Sequence, residues 1–257
     1  MSALPLLQPD WPAPANVRAV CTLREGGVGA APYASLNLAV HVGDDPDVVA
    51  ANRQRLREQL RLVSEPRWLT QMHGTQVFDA DRAALSQSSV VPEADAATTR
   101  RSGNVLAVLV ADCMPILLCR RDGAGVAVAH AGWRGLAAGV VEASVDALGA
   151  GAGAGQLLAW LGPAIGPSHF EVGDEVRCAF MAHEERASAA FTRNARGRWQ
   201  CDLYQLARQR LQALGVGAIH GERRCTYGER ESFFSYRRDG ATGRFAALIW
   251  MDPGRSE

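Results

Sequence analysis

The chain has 257 residues, 47% hydrophobic and 21% charged, a globular composition near the upper size for one core, so one domain spanning 1–257 is expected. Its 27 basic and 27 acidic residues cancel, and no basic run is interleaved with aromatics, so the electrostatic footprint of a nucleic-acid binder is missing. Every basic residue is arginine, which excludes Schiff-base chemistry, pyridoxal-phosphate attachment and the GxxxxGK phosphate loop, all of which need a lysine amine.

The opening stretch MSALPLLQPDWPAPANV has neither the basic start nor the apolar core of a signal peptide, and no run of about 18 apolar residues follows. A cytoplasmic protein with no membrane partner is the expectation. Its six cysteines (Cys21, Cys113, Cys119, Cys178, Cys201 and Cys225) form no CxxC pair. In a reducing compartment they read as thiols.

In chain order, VRAVCTLR (17–24) predicts a strand and EGGVGAAPYASLNL a turn-rich loop. Asp45 and Pro46 mark the start of a helix to about Leu62, with Val49, Leu56 and Leu60 on its apolar face. WLTQMHG, TQVFDAD, NVLAVLVAD, PILLCR and GVAVAHAG are short, rich in Val and Leu, and punctuated by Gly, Pro or Asp, so they predict strands. A helix is expected over roughly 135–148, then a flexible loop at GAGAGAG (149–155). QLLAWLGP predicts a strand, Asp174 a helix start, and Asp202 the cap of a helix to about Leu214. GRFAALIWM closes the chain as a buried strand. The elements do not alternate as βαβ units, which favours an α+β architecture with mostly antiparallel sheets covered by helices.

Three side chains able to bind a metal fall where predicted strands end. His73 ends WLTQMHG, Cys113 follows NVLAVLVAD, and His130 lies near the end of GVAVAHAG. Two imidazoles and a thiolate suit zinc, and three protein ligands leave a fourth position open for chemistry. Their separations match no short metal-binding pattern. Cys113 beside His130 also fits a metal-free nucleophile and base pair. The same trio is the in-plane set of blue copper, although Met72 and Met114, each next to a ligand, point to the opposite strand face.

Around this trio, Asp112 and Glu171 are candidate proton donors, and Asp112 equally fits a strand-end cap or a carboxylate that orients a ligand. Arg24, Arg134, Arg237 and Arg238 stand at motif edges as candidate anion binders, since a guanidinium fork matches phosphate. Asn37 and Gln71 can hydrogen-bond a ribose or base, or satisfy backbone groups. Phe233, Phe234 and Tyr236 can stack on a base or fill the core. Trp133 reads as packing.

TQMHGTQV (70–77), ADCMPILL (111–118) and AHAGWRG (129–135) resemble the YfiH-like family, often labelled polyphenol oxidoreductase or multicopper laccase. The likeness continues through TLREGGVG, SLNLAVHVGDDPDVVAANRQRL, LGPAIGPSHFEVGDEV and FFSYRRDGATGRFAALIW, nearly the whole chain. It implies a layered α/β/β/α sandwich of the CNF/YfiH-like kind and a metal site at His73, Cys113 and His130. It also implies phosphorolysis of adenosine, inosine, guanosine and methylthioadenosine, deamination of adenosine, and purine nucleosides and phosphate as partners of a monomer or weak homo-oligomer. Some members are instead described as peptidoglycan editing factors that remove L-Ser from a UDP-MurNAc precursor. A multicopper laccase needs mononuclear and trinuclear copper centres rich in imidazole, and six histidines without a His-x-His pair cannot build them. Zn2+ is the expected cofactor, with Cu as the alternative because copper outcompetes zinc at many N/S sites; a laccase-like copper-dependent polyphenol oxidase and a non-enzymatic metal-binding protein are the remaining readings.

Overall fold

The structure is a computed structural model, and it describes residues 3–83, 90–149, 153–221 and 223–252. Its strands are β1 (Leu6–Leu7), β2 (Val17–Thr22), β3 (Val77–Asp79), β4 (Ala96–Thr99), β5 (Leu106–Val110), β6 (Met114–Arg120), β7 (Val126–Ala131), β8 (Leu157–Leu161), β9 (Glu171–Val172), β10 (Phe191–Arg193), β11 (Trp199–Cys201), β12 (Ala218–His220) and β13 (Phe245–Met251). Its helices are α1 (Pro46–Leu60), α2 (Ala80–Ala83), α3 (Trp133–Ala138), α4 (Val140–Gly149), α5 (Asp174–Met181), α6 (Leu203–Ala213) and α7 (Tyr236–Asp239).

Two sheets form the middle of the molecule, in the orders β1-β2-β13-β5 and β12-β8-β6-β7-β4-β3. A small sheet, β10-β11-β9, stands apart. Only β3 with β4 and β8 with β12 run parallel; the other pairs within these sheets are antiparallel, as the sequence suggested.

Side-chain parity explains the layering. In β5, Leu106 and Val108 join the core between the large sheets, while Ala107 and Leu109 pack with Leu56 of α1. In β6, Leu117 and Cys119 face the same intersheet core, whereas Ile116 and Leu118 pack with Leu136, Val145 and Leu211 from the helices on the far side. Both faces of each sheet are covered, so these strands read as unbroken apolar runs rather than alternating ones. The result is helix, sheet, sheet, helix. Leu117 is fully buried between the sheets. Leu117→Ala should therefore cost about 2–5 kcal/mol in chemical denaturation, since the opposed sheets cannot close the void.

Local signals account for most boundaries. The side chain of Asp45 accepts from Asp47 N, and that of Asp202 from Gln205 N, so both capped helices begin where expected. The helix expected over 135–148 is instead two helices, divided at Gly139, whose φ of 107° lies in the left-handed region. Within GAGAGAG, α4 runs on to Gly149 and a short 3-10 turn covers Ala154–Gln156; the loop expected between them falls at 150–152, outside the described residues. WLTQMHG is not a strand. Its one isolated bridge is at Thr70, with another at Arg67 just before it, because its later N–H groups go to a side chain, Asp95, rather than to a neighbouring strand.

Candidate metal centre

Three segments deliver the three candidate ligands. His130 lies in β7 with the same parity as Val126 and Val128, so its ring enters the intersheet space, where it is buried. Cys113 sits on the link between β5 in one sheet and β6 in the other, beside Asp112, whose φ is 93°. Asp112 fixes this sharp crossover: its carboxylate accepts from Thr226 Oγ1 and Arg237 N, both at 2.6 Å, and its carbonyl accepts from Ile165 N. His73 occupies a loop in the left-handed region, with φ of 60°, an unfavourable conformation for a residue with a side chain.

One buried carboxylate, Asp95, holds two of the three. Its oxygens accept from Met72 N at 3.1 Å, His73 N at 2.8 Å and Gly74 N at 2.6 Å, which fixes the strained loop. It also lies 2.8 Å from His130 Nδ1. An ionised Asp95 accepts from the Nδ1–H of His130 and so presents Nε2 as the ring nitrogen that a metal would bind in exchange for its proton. Burial opposes the charge on Asp95, but the His130 ring and the N–H groups of Gly74 and His73 outweigh it and hold the carboxyl below its usual range.

The ligand atoms converge. Those of His73, Cys113 and His130 all lie within 4.8 Å of one another, and Cys113 Sγ is 3.8 Å from His73 Nε2. Sulfur and nitrogen sharing one tetrahedral zinc would stand about 3.6 Å apart. The two imidazoles meet edge-on, with centroids 4.8 Å apart. Burial works against a Cys113 thiolate, but His130 and His73 overcome it and bring the thiol down to about 6. Burial likewise opposes a charged His130, while Cys113 and Asp95 raise it to about 9. Without an ion, the trio thus favours a thiolate, the species a metal binds.

Gly132 supplies the room. Its φ of −68° is ordinary, yet a Cβ there would meet Cys113 Sγ at 2.8 Å and His73 Cδ2 at 2.9 Å. Gly132→Ala should therefore spread the ligands and weaken metal binding by about tenfold or more, read by chelator competition, with the fold retained.

The cluster opens into a cavity of about 470 Å³ between the sheets' rim and the loops around it. Gln71, Asp112 and Arg134, all candidates from the sequence, are among the residues that line it. Gln71 spends its amide on Leu109, donating to the carbonyl and accepting from the N–H, both at 2.8 Å. Three arginines in the wall each lie over an aromatic ring of the same wall: Arg134 over Trp133 at 4.5 Å, Arg237 over Phe170 at 5.2 Å and Arg244 over Tyr236 at 5.7 Å.

Other sequence candidates lie outside the cavity lining. Arg24 donates to the carbonyls of Ala34 and Arg230 and covers Phe234. Asn37 is buried and bonded to Ala39, Asp44 and Arg244 N. Arg238 donates to the carbonyls of Thr226, Tyr227 and Phe233 and pairs with Asp239. Glu171 pairs with Arg196, and Phe233 and Phe234 are fully buried core. Met72 is 63% exposed and Met114 sits in the helix-side core; neither lines the cavity. Asp95, His41, Phe170 and Arg244 were not anticipated. Burial, with Arg244 and Arg53 nearby, pushes the His41 imidazole below its usual range and keeps it neutral.

Fold and site together define a class: a two-sheet α/β/β/α protein with a two-histidine, one-cysteine cluster that can hold a metal at the rim of an intersheet cavity. The chain belongs to the family described as multi-copper polyphenol oxidoreductase laccase, which it matches over residues 18–252. It is 53% identical over 246 residues to a Pseudomonas aeruginosa protein named purine nucleoside phosphorylase PA4543, covering 95% of this chain and 98% of that one. It is 50% identical to Escherichia coli purine nucleoside phosphorylase YfiH, over 96% and 98% of the two chains. Among solved structures, Neisseria meningitidis protein NMB0706 superposes with a TM-score of 0.91 at 46% identity, covering 96% of this chain and 99% of that one. YlmD from Geobacillus stearothermophilus gives 0.86 at 33% identity, with 98% of each chain covered. No helix among the described residues is long and apolar enough to cross a membrane.

Proposed function

We propose that the chain is a zinc-dependent purine nucleoside phosphorylase acting on adenosine, inosine, guanosine and methylthioadenosine, with deamination of adenosine at the same site. The observation that carries this reading is one cavity holding the His73, Cys113 and His130 cluster together with three arginines stacked on aromatic rings. Its volume suits a nucleoside with phosphate, and its relatives carry the phosphorylase name.

His73, Cys113 and His130 would hold the ion, and the donor set fits zinc in charge, softness and spacing. Zinc supplies Lewis acidity and a fixed positive charge. The remaining work belongs to the chain's own side chains. A guanidinium has five N–H groups. The hydrogen bonds of Arg237 to Glu171 O, and of Arg244 to Thr242 O and Gly243 O, use only some of them. Stacking pre-orders each fork, so phosphate binding costs less side-chain entropy. Asp112 has both oxygens committed to structural donors, which argues against it as the proton donor. His41, neutral at the cavity wall, offers one ring nitrogen as a donor and the other as an acceptor to a bound phosphate or ribose.

A laccase reading is disfavoured by the ligand inventory. Among the described residues, one group of three or more His, Cys, Asp or Glu can hold a metal, and two centres are needed. Removing one charged contact to phosphate should cost about 1.5–3 kcal/mol. Arg244→Gln is therefore expected to raise KM for phosphate by about tenfold or more. The function itself is tested by incubating purified protein with inosine and phosphate. Hypoxanthine release that requires phosphate and stops on chelation supports the reading. Failure to release base, together with cleavage of the L-Ser cell-wall precursor, would replace it with the peptidoglycan-editing one.

A further inference from the structure

A second cysteine and histidine pair lies outside the cavity lining. Cys225 Sγ is 3.4 Å from His169 Nδ1 and accepts from two backbone groups, Gly166 N at 3.2 Å and Gly228 N at 3.4 Å. The pocket for this sulfur is built rather than incidental. A Cβ on Gly166 would crowd Sγ at 3.1 Å, so the glycine lets its N–H approach the sulfur closely. The His169 ring is stacked on Tyr227 with centroids 4.4 Å apart and planes 18° from parallel, which aims Nδ1 at the sulfur. Arg238, half-buried along this segment, ties down the carbonyls of Thr226 and Tyr227. Glu229 accepts from Cys225 N and is itself paired with Arg224.

Two amide donors and an imidazole converging on one sulfur are what a nucleophilic thiolate needs. Access is also present, since Cys225 is half-buried and His169 exposed. The other cysteines differ in access or in setting. Cys21, Cys119 and Cys201 are fully buried, and burial raises all three, Cys119 to about 12. Cys113 belongs to the candidate metal cluster. Cys178 is exposed on α5, which makes it a reference for accessibility alone.

We propose that Cys225 is a reactive thiol, activated by His169, and a site of oxidation by small hydroperoxides. The thiol proton passes to His169 Nδ1 and the sulfur attacks one peroxide oxygen. The O–O bond breaks as the S–O bond forms, and the departing hydroxide or alkoxide takes the proton from His169 and leaves as water or an alcohol. Sulfur loses two electrons to the peroxide, leaving a sulfenic acid. This inference does not depend on the nucleoside reading, because it is measured at the sulfur and not by turnover.

The test uses the intact, metal-loaded protein. It is treated with limiting hydrogen peroxide, trapped with a sulfenate-selective dione, and mapped by peptide mass spectrometry; iodoacetamide alkylation rates are measured in parallel. Cys225 should be modified at least about tenfold faster than exposed Cys178 by both reagents. His169→Ala should bring the Cys225 rate down to that of Cys178. Equal rates for the two cysteines in the unmutated chain, or an unchanged Cys225 rate in His169→Ala, would overturn the proposal. The first comparison is made within one folded molecule, so it holds whatever the variant does to stability.

Discussion

Cys113→Ser is expected to lose its metal and its turnover together. The sulfur stands 3.8 Å from His73 Nε2, within the 4.8 Å span of all three ligand atoms, and among the described residues no fourth His, Cys, Asp or Glu joins the group to take its place. A serine hydroxyl is harder than a thiolate and does not ionise near neutrality, so the soft, negatively charged donor disappears. Loss of a hydrogen bond that merely orients a ligand typically costs about 10–100-fold in metal affinity. Loss of a ligand should cost more. Elemental analysis of purified protein should find about one ion per chain before the change and essentially none after it. A metal-free Cys113 and His130 dyad makes a different forecast: no ion in either protein, and inactivity in the variant from loss of the nucleophile alone.

Asp95→Asn should be nearly as damaging, although Asp95 would touch neither metal nor substrate. Its two oxygens face four donors: Met72 N and Gly74 N at one, His73 N and His130 Nδ1 at the other. An amide replaces one of those oxygens with an NH2 group, so whichever way it turns, a donor confronts donors. Either the His73 loop or the His130 ring loses its anchor. The charge that fixes the His130 tautomer goes as well. Breaking one side of a buried charged network typically costs about 3–5 kcal/mol, which denaturation in the presence of chelator should reveal. Metal affinity should fall by about 10–100-fold. Asp95→Ala, which leaves all four donors without an acceptor, should be worse on both counts.

How far the sequence discloses this arrangement depends on which kind of contact makes it. β5, β6, β7 and β13 are legible because both faces of each large sheet are buried, leaving uninterrupted apolar runs. Asp45 and Asp202 are legible because a cap is a contact between near neighbours in the chain. His73, Cys113 and His130 are legible by residue type, but the strand assigned to His73 was mistaken. Its backbone is held by a carboxylate 22 residues away, and local patterning carries no sign of that. Asp95 was missed for the same reason: an acid between alanines, two residues after Glu93, looks like a surface residue until the fold buries it. Arginines fail in another way. Arg24 and Arg238 stand at motif edges just as Arg134 does, yet their donors are spent on main-chain carbonyls while Arg134 lines the cavity. The sequence fixes the donor, and only the fold says which acceptor it meets.

X-ray absorption at the zinc edge on protein as purified would probe the coordination directly. One sulfur at about 2.3 Å and two nitrogens at about 2.0–2.1 Å, with a remaining light-atom neighbour not supplied by the chain, is the predicted result. A spectrum with no sulfur neighbour, or with four protein ligands closing the sphere, would contradict it.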